Sequence, residues 1–194
     1  HVVMVGDEKV EIKHVVGRGK TYIHVHHNEQ TALKAAQAVI QKEGGSLITL
    51  VHSGGRNIVF RLNNQRYEFD PNRIFTDNGI KKTLSQFGQY NPQAHREVNK
   101  LASKIKQLLP KGKVVAVHNN SSYSLKDYLP GNSLENDAQA IHMIPENYFR
   151  NFYLQKSSAT DDGSLSIYLA KNDYINVEAG YDQLFEQIKM LQHA

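Results

Sequence analysis

Residues 22–45 read YIHVHHNEQTALKAAQAVIQKEGG, placing His24, His26 and His27 within four positions and Glu29 directly after them. Buried strands are filled mainly by Val, Ile and Leu, so imidazoles loaded at a strand end need either a chemical role or a wet surface. A histidine and a glutamate three residues apart, His26 and Glu29, are donors that a metal ion accepts. The chain has no cysteine. Thiolate ligands, disulfides and a cysteine nucleophile are therefore excluded, and any metal must be held by His, Asp or Glu. His-x-x-Glu alone is a weak signal that takes its meaning from context. A catalytic site of this kind uses three protein ligands, so a third must come from elsewhere. His118 is the best candidate: it follows the apolar run KVVAV and opens the polar run HNNSS. The plain alternative is a hydrogen-bonded histidine at the end of a strand.

The remaining histidines carry less. His24 shares a strand face with His26 by period-two alternation, which suits a supporting or core residue better than a ligand. His27 points the other way, and His52 also ends a strand. His1, His14, His95, His142 and His193 have no supporting context.

These residues need elements to hold them. VVMVGDEKVEIKHVV reads as two β runs around a Gly-Asp-Glu-Lys turn, and TYIHV as a strand. From Thr31, the residues Leu33, Ala36, Val39 and Ile40 recur at helical spacing until Gly44-Gly45 ends the helix. SLITLVHS is a near-continuous apolar strand, and NIVFRLNNQRYEFD a hairpin turning at Asn63-Asn64. PQAHREVNKLASKIKQLL is a helix with Pro92 in its first turn. KVVAVHNN, SLSIYLA and YINVEAG read as strands, and YDQLFEQIKMLQ as a closing helix. This alternation predicts an α/β fold over residues 1–194: a single domain with a mixed, mostly parallel sheet, helices on both faces and an N-terminal hairpin in 1–20. Ligands in such sheets gather at the carboxyl ends of the strands, where His26 to Glu29, His118 and Glu178 all fall. The stretch 120–137, rich in Ser, Asn, Gly and Asp, reads as a long loop near that site.

Composition sets outer limits. The chain of 194 residues is 40% hydrophobic and 22% charged with a net charge of +4, ordinary values for a globular protein. No run of eighteen apolar residues is present, so no membrane span is expected. A first residue of His reads as a processed or trimmed start, and the compartment stays open. The basic helix around REVNKLASKIKQLLPKGK offers a face to nucleic acid, but a solvated helix is the simpler reading, so no nucleic-acid partner is expected.

HHNE, FDPNRIF, VHNN and VEAG follow one another in the chain. In their order and approximate separations they resemble the zinc carboxypeptidase superfamily. The closest likeness is to the succinylglutamate desuccinylase and aspartoacylase branch, with motifs of the form HGNE, DLNRxF, LHNT and VExG. The resemblance spans about residues 20–182. It implies a zinc carboxypeptidase-like fold with His26, Glu29 and His118 as zinc ligands, and Asn72 and Arg73 gripping a substrate carboxylate. Glu178 matches the catalytic glutamate. Arg66 resembles the arginine that polarises the scissile carbonyl, with Arg56 and Arg61 as rivals because the spacing from Arg66 to Asn72 is one residue short. His27 stands where the family has glycine, and Pro71 where it has leucine. The extra imidazoles leave open a second metal held partly by His27 or His24. The C-terminal β domain of the aspartoacylase branch has no counterpart here. No clear equivalent of the carboxypeptidase active-site tyrosine is visible, although Tyr168, Tyr174 and Tyr181 lie close by in sequence.

The resemblance implies a zinc-dependent hydrolase cleaving an amide bond in a small peptide or N-acyl amino acid with a free carboxylate. Peptidase and deacylase are not separated, because specificity would sit in the 120–137 and 145–173 loops. The alternative from a different class is a non-catalytic module that keeps metal or carboxylate recognition, and it would lack an equivalent of Glu178 or Arg66.

Overall fold

The computed structural model describes residues 1–120, 141–143, 153–154 and 161–194, with residue 120 and the two short segments as backbone alone. Val2–Val5 (β1) and Glu8–Val15 (β2) form the expected antiparallel hairpin around Gly6-Asp7. Thr21–His24 (β3) leads through a turn into Gln30–Glu43 (α1), whose Ala32, Ala35, Ala36 and Val39 form the buried stripe. Gly44 stops the helix at φ 83, and Ser46–Val51 (β4) returns parallel to β3. Ile58–Leu62 (β5) and Gln65–Phe69 (β6) make the second hairpin. Asn63 and Asn64 take φ of 51 and 62 at its turn, the left-handed pair that a tight two-residue loop demands and that asparagine tolerates.

A single 3₁₀ turn at Pro71–Arg73 follows, then Asp77–Phe87 (α2), capped by the Thr76 hydroxyl. Pro92–Leu108 (α3) is capped by Asn91, whose side chain accepts from the Gln93 and Ala94 amides. Val114–Asn120 (β7), Ile141–Met143 (β8), Tyr153–Leu154 (β9), Leu165–Tyr168 (α4), Tyr174–Gly180 (β10) and Leu184–His193 (α5) complete the described chain. The principal sheet runs β1-β2-β4-β3-β7-β10, with β8 and β9 extending it past β10. β4, β3, β7, β10 and β8 are mutually parallel, while β1, β2 and β9 join antiparallel. The α/β fold with a mixed, mostly parallel sheet is therefore present.

Period-two alternation sorts the sheet's side chains. Ile23, Ile48, Leu50 and Ala116 pack with α2, α3 and the β5–β6 hairpin on one face; Tyr22, Leu47, Val115, Val117 and Val177 pack with α1 and α5 on the other. Each fully buried aliphatic contributes roughly 1.5–3 kcal/mol, so a one-residue slip of any central strand would reverse a whole set and is strongly opposed. No helix among the described residues is long and apolar enough to cross a membrane.

Two features depart from the sequence reading. SLSIYLA is not a strand: Ser164 caps a helical turn through Ile167 N, and Leu165 and Leu169 are buried at i, i+4 spacing. Helix α2 had no counterpart in the sequence reading. Both matter to the site, because Gly79 of α2 meets Gly163 almost backbone to backbone: a Cβ on Gly79 would stand 2.2 Å from Gly163 Cα. Only glycine lets the 161–164 segment lie this close to the turn carrying Asn72 and Arg73. The Ser- and Asn-rich stretch lies, apart from residue 120, outside the described residues, as does most of 145–160.

Candidate metal centre

β3 ends at His24, one residue short of the run TYIHV, and α1 begins at Gln30, one residue before Thr31. Residues 25–29 therefore form a connecting turn, closed where the Glu29 amide donates to the His26 carbonyl at 3.0 Å. This turn, rather than strand alternation, points the His26 and Glu29 side chains at one place. His24 goes elsewhere. Its Nε2 lies 3.0 Å from the Glu29 carbonyl and its Nδ1 2.9 Å from Thr49 Oγ1. Since a carbonyl only accepts, Nε2 carries the proton and the Thr49 hydroxyl donates to Nδ1. Burial pushes this ring down to about 4, so it stays neutral and anchors the backbone of Glu29. With both nitrogens engaged, His24 is spent as a ligand for a second metal.

The side chains of His26, Glu29 and His118 converge. His26 Nδ1 is 3.2 Å from His118 Nδ1 and 3.0 Å from Glu29 Oε1, and His118 Nδ1 is 3.0 Å from Glu29 Oε2. The two rings have centroids 5.1 Å apart. All three residues are buried, at 0%, 0% and 4% exposure. Bonds of ~2.0–2.1 Å at tetrahedral angles set ligand atoms about 3.4 Å apart, so these spacings need open by only a few tenths of an ångström around an ion. Among the described residues, no other group of three His or acidic side chains converges in this way.

The surroundings favour a cation at that point. His26 Nε2 donates to Asp70 Oδ1 at 2.7 Å, and this fixes the tautomer that aims the Nδ1 lone pair at Glu29 and His118. Burial opposes charge on this ring, but Glu29 and Asp70 outweigh it and hold His26 up at about 9. Burial likewise opposes ionisation of Glu29 and Asp70. For Glu29 the neighbouring His26 and His118 prevail, and for Asp70 mainly His26 with Arg56 and Arg73, so both carboxyls lie well below their usual range. The pocket thus carries anionic charge that a proton or a metal ion can neutralise. Asp70→Asn keeps an acceptor for Nε2–H but removes the charge. It is expected to weaken metal affinity about 10–100-fold in chelator competition, with full occupancy restored at high metal. An unchanged affinity would reduce Asp70 to a structural partner.

Distant elements are locked around this centre. Asn119 Oδ1 accepts from the Ala32 amide in the first turn of α1, so β7 caps the helix that Glu29 starts. Asn119 Nδ2 donates to the Ala179 carbonyl and to Gln187 Oε1, while Gln187 Nε2 donates to the His118 carbonyl. His118 Nε2 is buried with no hydrogen-bond partner among the described residues.

A cavity of about 520 Å³ opens beside the three ligands. Glu178 lines it, in register with His118 on the neighbouring parallel strand, and accepts from Asn176 Nδ2 at 3.0 Å. Asn72 and Arg73 line it too. Arg73 is paired with Asp162, and Asn72 Oδ1 accepts from the Leu165 amide. Arg66 does not line it. Its side chain is 57% exposed and paired with Glu68, because Tyr67 and Phe69 take the inward positions of β6 and leave Arg66 facing solvent. Arg61 is also exposed and outside the cavity. Of the three arginines weighed, Arg56 is the one at the site, bonding Glu29 Oε1 at 2.7 Å with its other nitrogen 3.5 Å from Asp70 Oδ2. Tyr181, one of the three tyrosines close by in sequence but assigned no role there, lines the cavity with its hydroxyl 3.0 Å from Asn28 Nδ2. Burial and the Glu29 charge raise its pKa. Its signal was its place three residues after Glu178.

His27 and His52 pack against each other with ring centroids 5.6 Å apart and planes tilted by 55°, and neither belongs to the convergent group. His52 Nδ1 accepts from the Gly54 amide, and burial, aided by His27, pushes the ring down to about 4. Neither completes a second metal group among the described residues.

The chain matches no family model, no curated protein and no solved structure.

Proposed function

We propose that this chain is a zinc-dependent hydrolase that cleaves an amide bond in a substrate with a free carboxylate, acting as a metallocarboxypeptidase or an N-acyl amino acid deacylase. The observation that carries this reading is the convergence of His26 Nδ1, Glu29 and His118 Nδ1 within 3.0–3.2 Å, beside a cavity that Glu178 lines. Two imidazoles and one carboxylate, with no thiolate, form a known catalytic zinc set. Held by His26, Glu29 and His118, a zinc ion would supply Lewis acidity and lower the pKa of a bound water toward ~7. Glu178 takes the proton from the attacking water and returns it to the leaving amine. Arg73 and Asn72 dock the substrate carboxylate, for which a guanidinium fork suits better than an ammonium. Arg56, rather than Arg66, supplies positive charge where the carbonyl oxygen becomes negative.

Elemental analysis of the purified chain is expected to give close to one zinc. Hydrolysis of N-acyl amino acids or peptides with free C-termini should be lost with a chelator and restored by zinc. A properly folded chain that takes up no divalent ion, or turnover indifferent to chelation, would overturn the reading.

One observation favours a second reading, a metal- or carboxylate-binding module without catalysis: Arg66 lies outside the cavity, and Arg56 inside it is held by Glu29 and Asp70. That reading predicts full zinc occupancy with no turnover on either substrate class.

A further inference from the structure

We infer that the cavity beside the proposed zinc centre selects a substrate residue with a neutral, hydrogen-bonding side chain of the hydroxyl or carboxamide type, over aliphatic, aromatic or acidic ones. This rests on the proposed hydrolytic site and concerns what fills it. All thirteen described residues lining the cavity are polar or ionisable, Tyr181 supplying the one phenol ring among them. Part of its wall is Ser164, Ser166 and Asn176, exposed by only 1%, 5% and 5%. A chain that needed to hold a leucine or phenylalanine side chain would place methyl groups there, because burying hydroxyls and amides against an apolar ligand leaves their capacity unmet.

The position of this wall follows from contacts already described. The Leu165 amide donates to Asn72 Oδ1, and Arg73 pairs with Asp162. The segment bearing Ser164 and Ser166 is thus fastened to the two residues that would grip the carboxylate. Leu165 bonds Asn72, so its chain neighbours Ser164 and Ser166 stand beside the carboxylate-docking pair and line the same cavity as a substrate residue held there.

The donors and acceptors there are held in place. Ser166 Oγ and Tyr174 OH share a hydrogen bond of 3.2 Å, and whichever oxygen donates, the serine keeps a further site for a ligand. Asn176 Nδ2 donates to Glu178 Oε1 at 3.0 Å, which fixes the orientation of its amide. None of Ser164, Ser166 and Asn176 is a cation, and the carboxylate of Glu178 adjoins them. Among the described residues, this wall offers an acidic side chain the negative charge of Glu178 and no counter-ion, whereas a hydroxyl or carboxamide can both give and accept.

The test uses the zinc-loaded full chain and N-acetyl amino acids and benzoylglycyl dipeptides that differ only in the carboxyl-terminal residue: Ser, Asn, Gln, Asp, Leu and Phe. The neutral polar set is expected to exceed Leu, Phe and Asp in kcat/KM by roughly tenfold or more. Ser166→Ala, a residue that touches neither the ligands nor Glu178 in the described contacts, should shrink that ratio severalfold with zinc content unchanged and the melting temperature lowered by only a few degrees, about what one lost buried hydrogen bond costs. Binding of free Asn, Ser, Leu and Phe, followed by calorimetry on the same zinc-loaded protein, reads the ranking without turnover. Polar-selective binding without hydrolysis would overturn the proposed catalysis and leave this inference standing. Turnover that favours Leu, Phe or Asp, or a ratio unmoved in Ser166→Ala, would overturn the inference alone. Absence of both turnover and binding would overturn both.

Discussion

Glu178→Gln is expected to retain its zinc and lose hydrolysis by about 10²–10⁴-fold, the range for removing a positioned general base. The substitution keeps size and hydrogen bonding: a glutamine amide oxygen can still accept from Asn176 Nδ2, the 3.0 Å contact that orients the carboxylate. Only the capacity to take a proton is lost. Glu178 is not one of the three convergent residues, so zinc measured by elemental analysis should remain near one per chain. The effect should fall on kcat more than on KM, since the carboxylate-docking pair Asn72 and Arg73 is untouched. Hydrolysis at the parent rate would remove Glu178 from the chemistry. Loss of zinc together with activity would give it a role in holding the metal.

How much of this was legible can be judged residue by residue. Asn63-Asn64 announced the β5–β6 hairpin because only a few residue types accept two consecutive left-handed conformations. Pro92 marked the start of α3, since its missing N–H costs nothing in a first turn. The run 165–171 misled because a short apolar stretch has no decisive period; Ser164 as a cap and Leu165–Leu169 spacing decide for helix only once the neighbours are known. Thr76 followed by Ile80 and Leu84 is a cap and a buried i, i+4 pair, a legible start for α2.

At the site, His26, Glu29 and His118 were legible as types at the ends of strands, but the turn that aims them was not. Alternation was extended from His24 to His26 across a boundary that the chain places at His24. Arg66 rests on the family resemblance alone, and its spacing to Asn72 is one residue short of that pattern. The alternation of Tyr67 and Phe69 argued against it all along, since two inward aromatics force Arg66 and Glu68 outward. Arg56 sits in a glycine-rich loop without periodicity, so only tertiary structure brings it to Glu29 and Asp70. Asn119 and Gln187, which tie β7 to α1 and α5, are invisible to any local pattern because their partners lie 60–87 residues away.

Zinc affinity should rise steeply with pH, by about tenfold per unit up to about 9, and level off above it. The sign follows from His26. Burial works against its charge, but Glu29 and Asp70 prevail, so the ring in the metal-free chain titrates at about 9. Below that pH the Nδ1 atom carries a proton that the metal must displace; above it the lone pair is already available. The same proton acts on stability. A histidine raised from its ordinary 6.5 to about 9 stabilises the metal-free fold fully below 6.5 and loses that contribution as pH rises through 9. The metal-free chain therefore weakens over the interval in which the ion binds more tightly. At fixed free zinc, set with a metal buffer, the rise in melting temperature on adding zinc should grow by roughly 3–5 °C per pH unit between 6.5 and 8.5, since each tenfold in affinity contributes about 1.4 kcal/mol. His26→Gln should remove the slope together with most of the binding. If the affinity of the parent chain is flat across that interval, Nδ1 of His26 is not where the ion binds, and the convergence of the two rings with Glu29 is a buried ion pair that holds a proton.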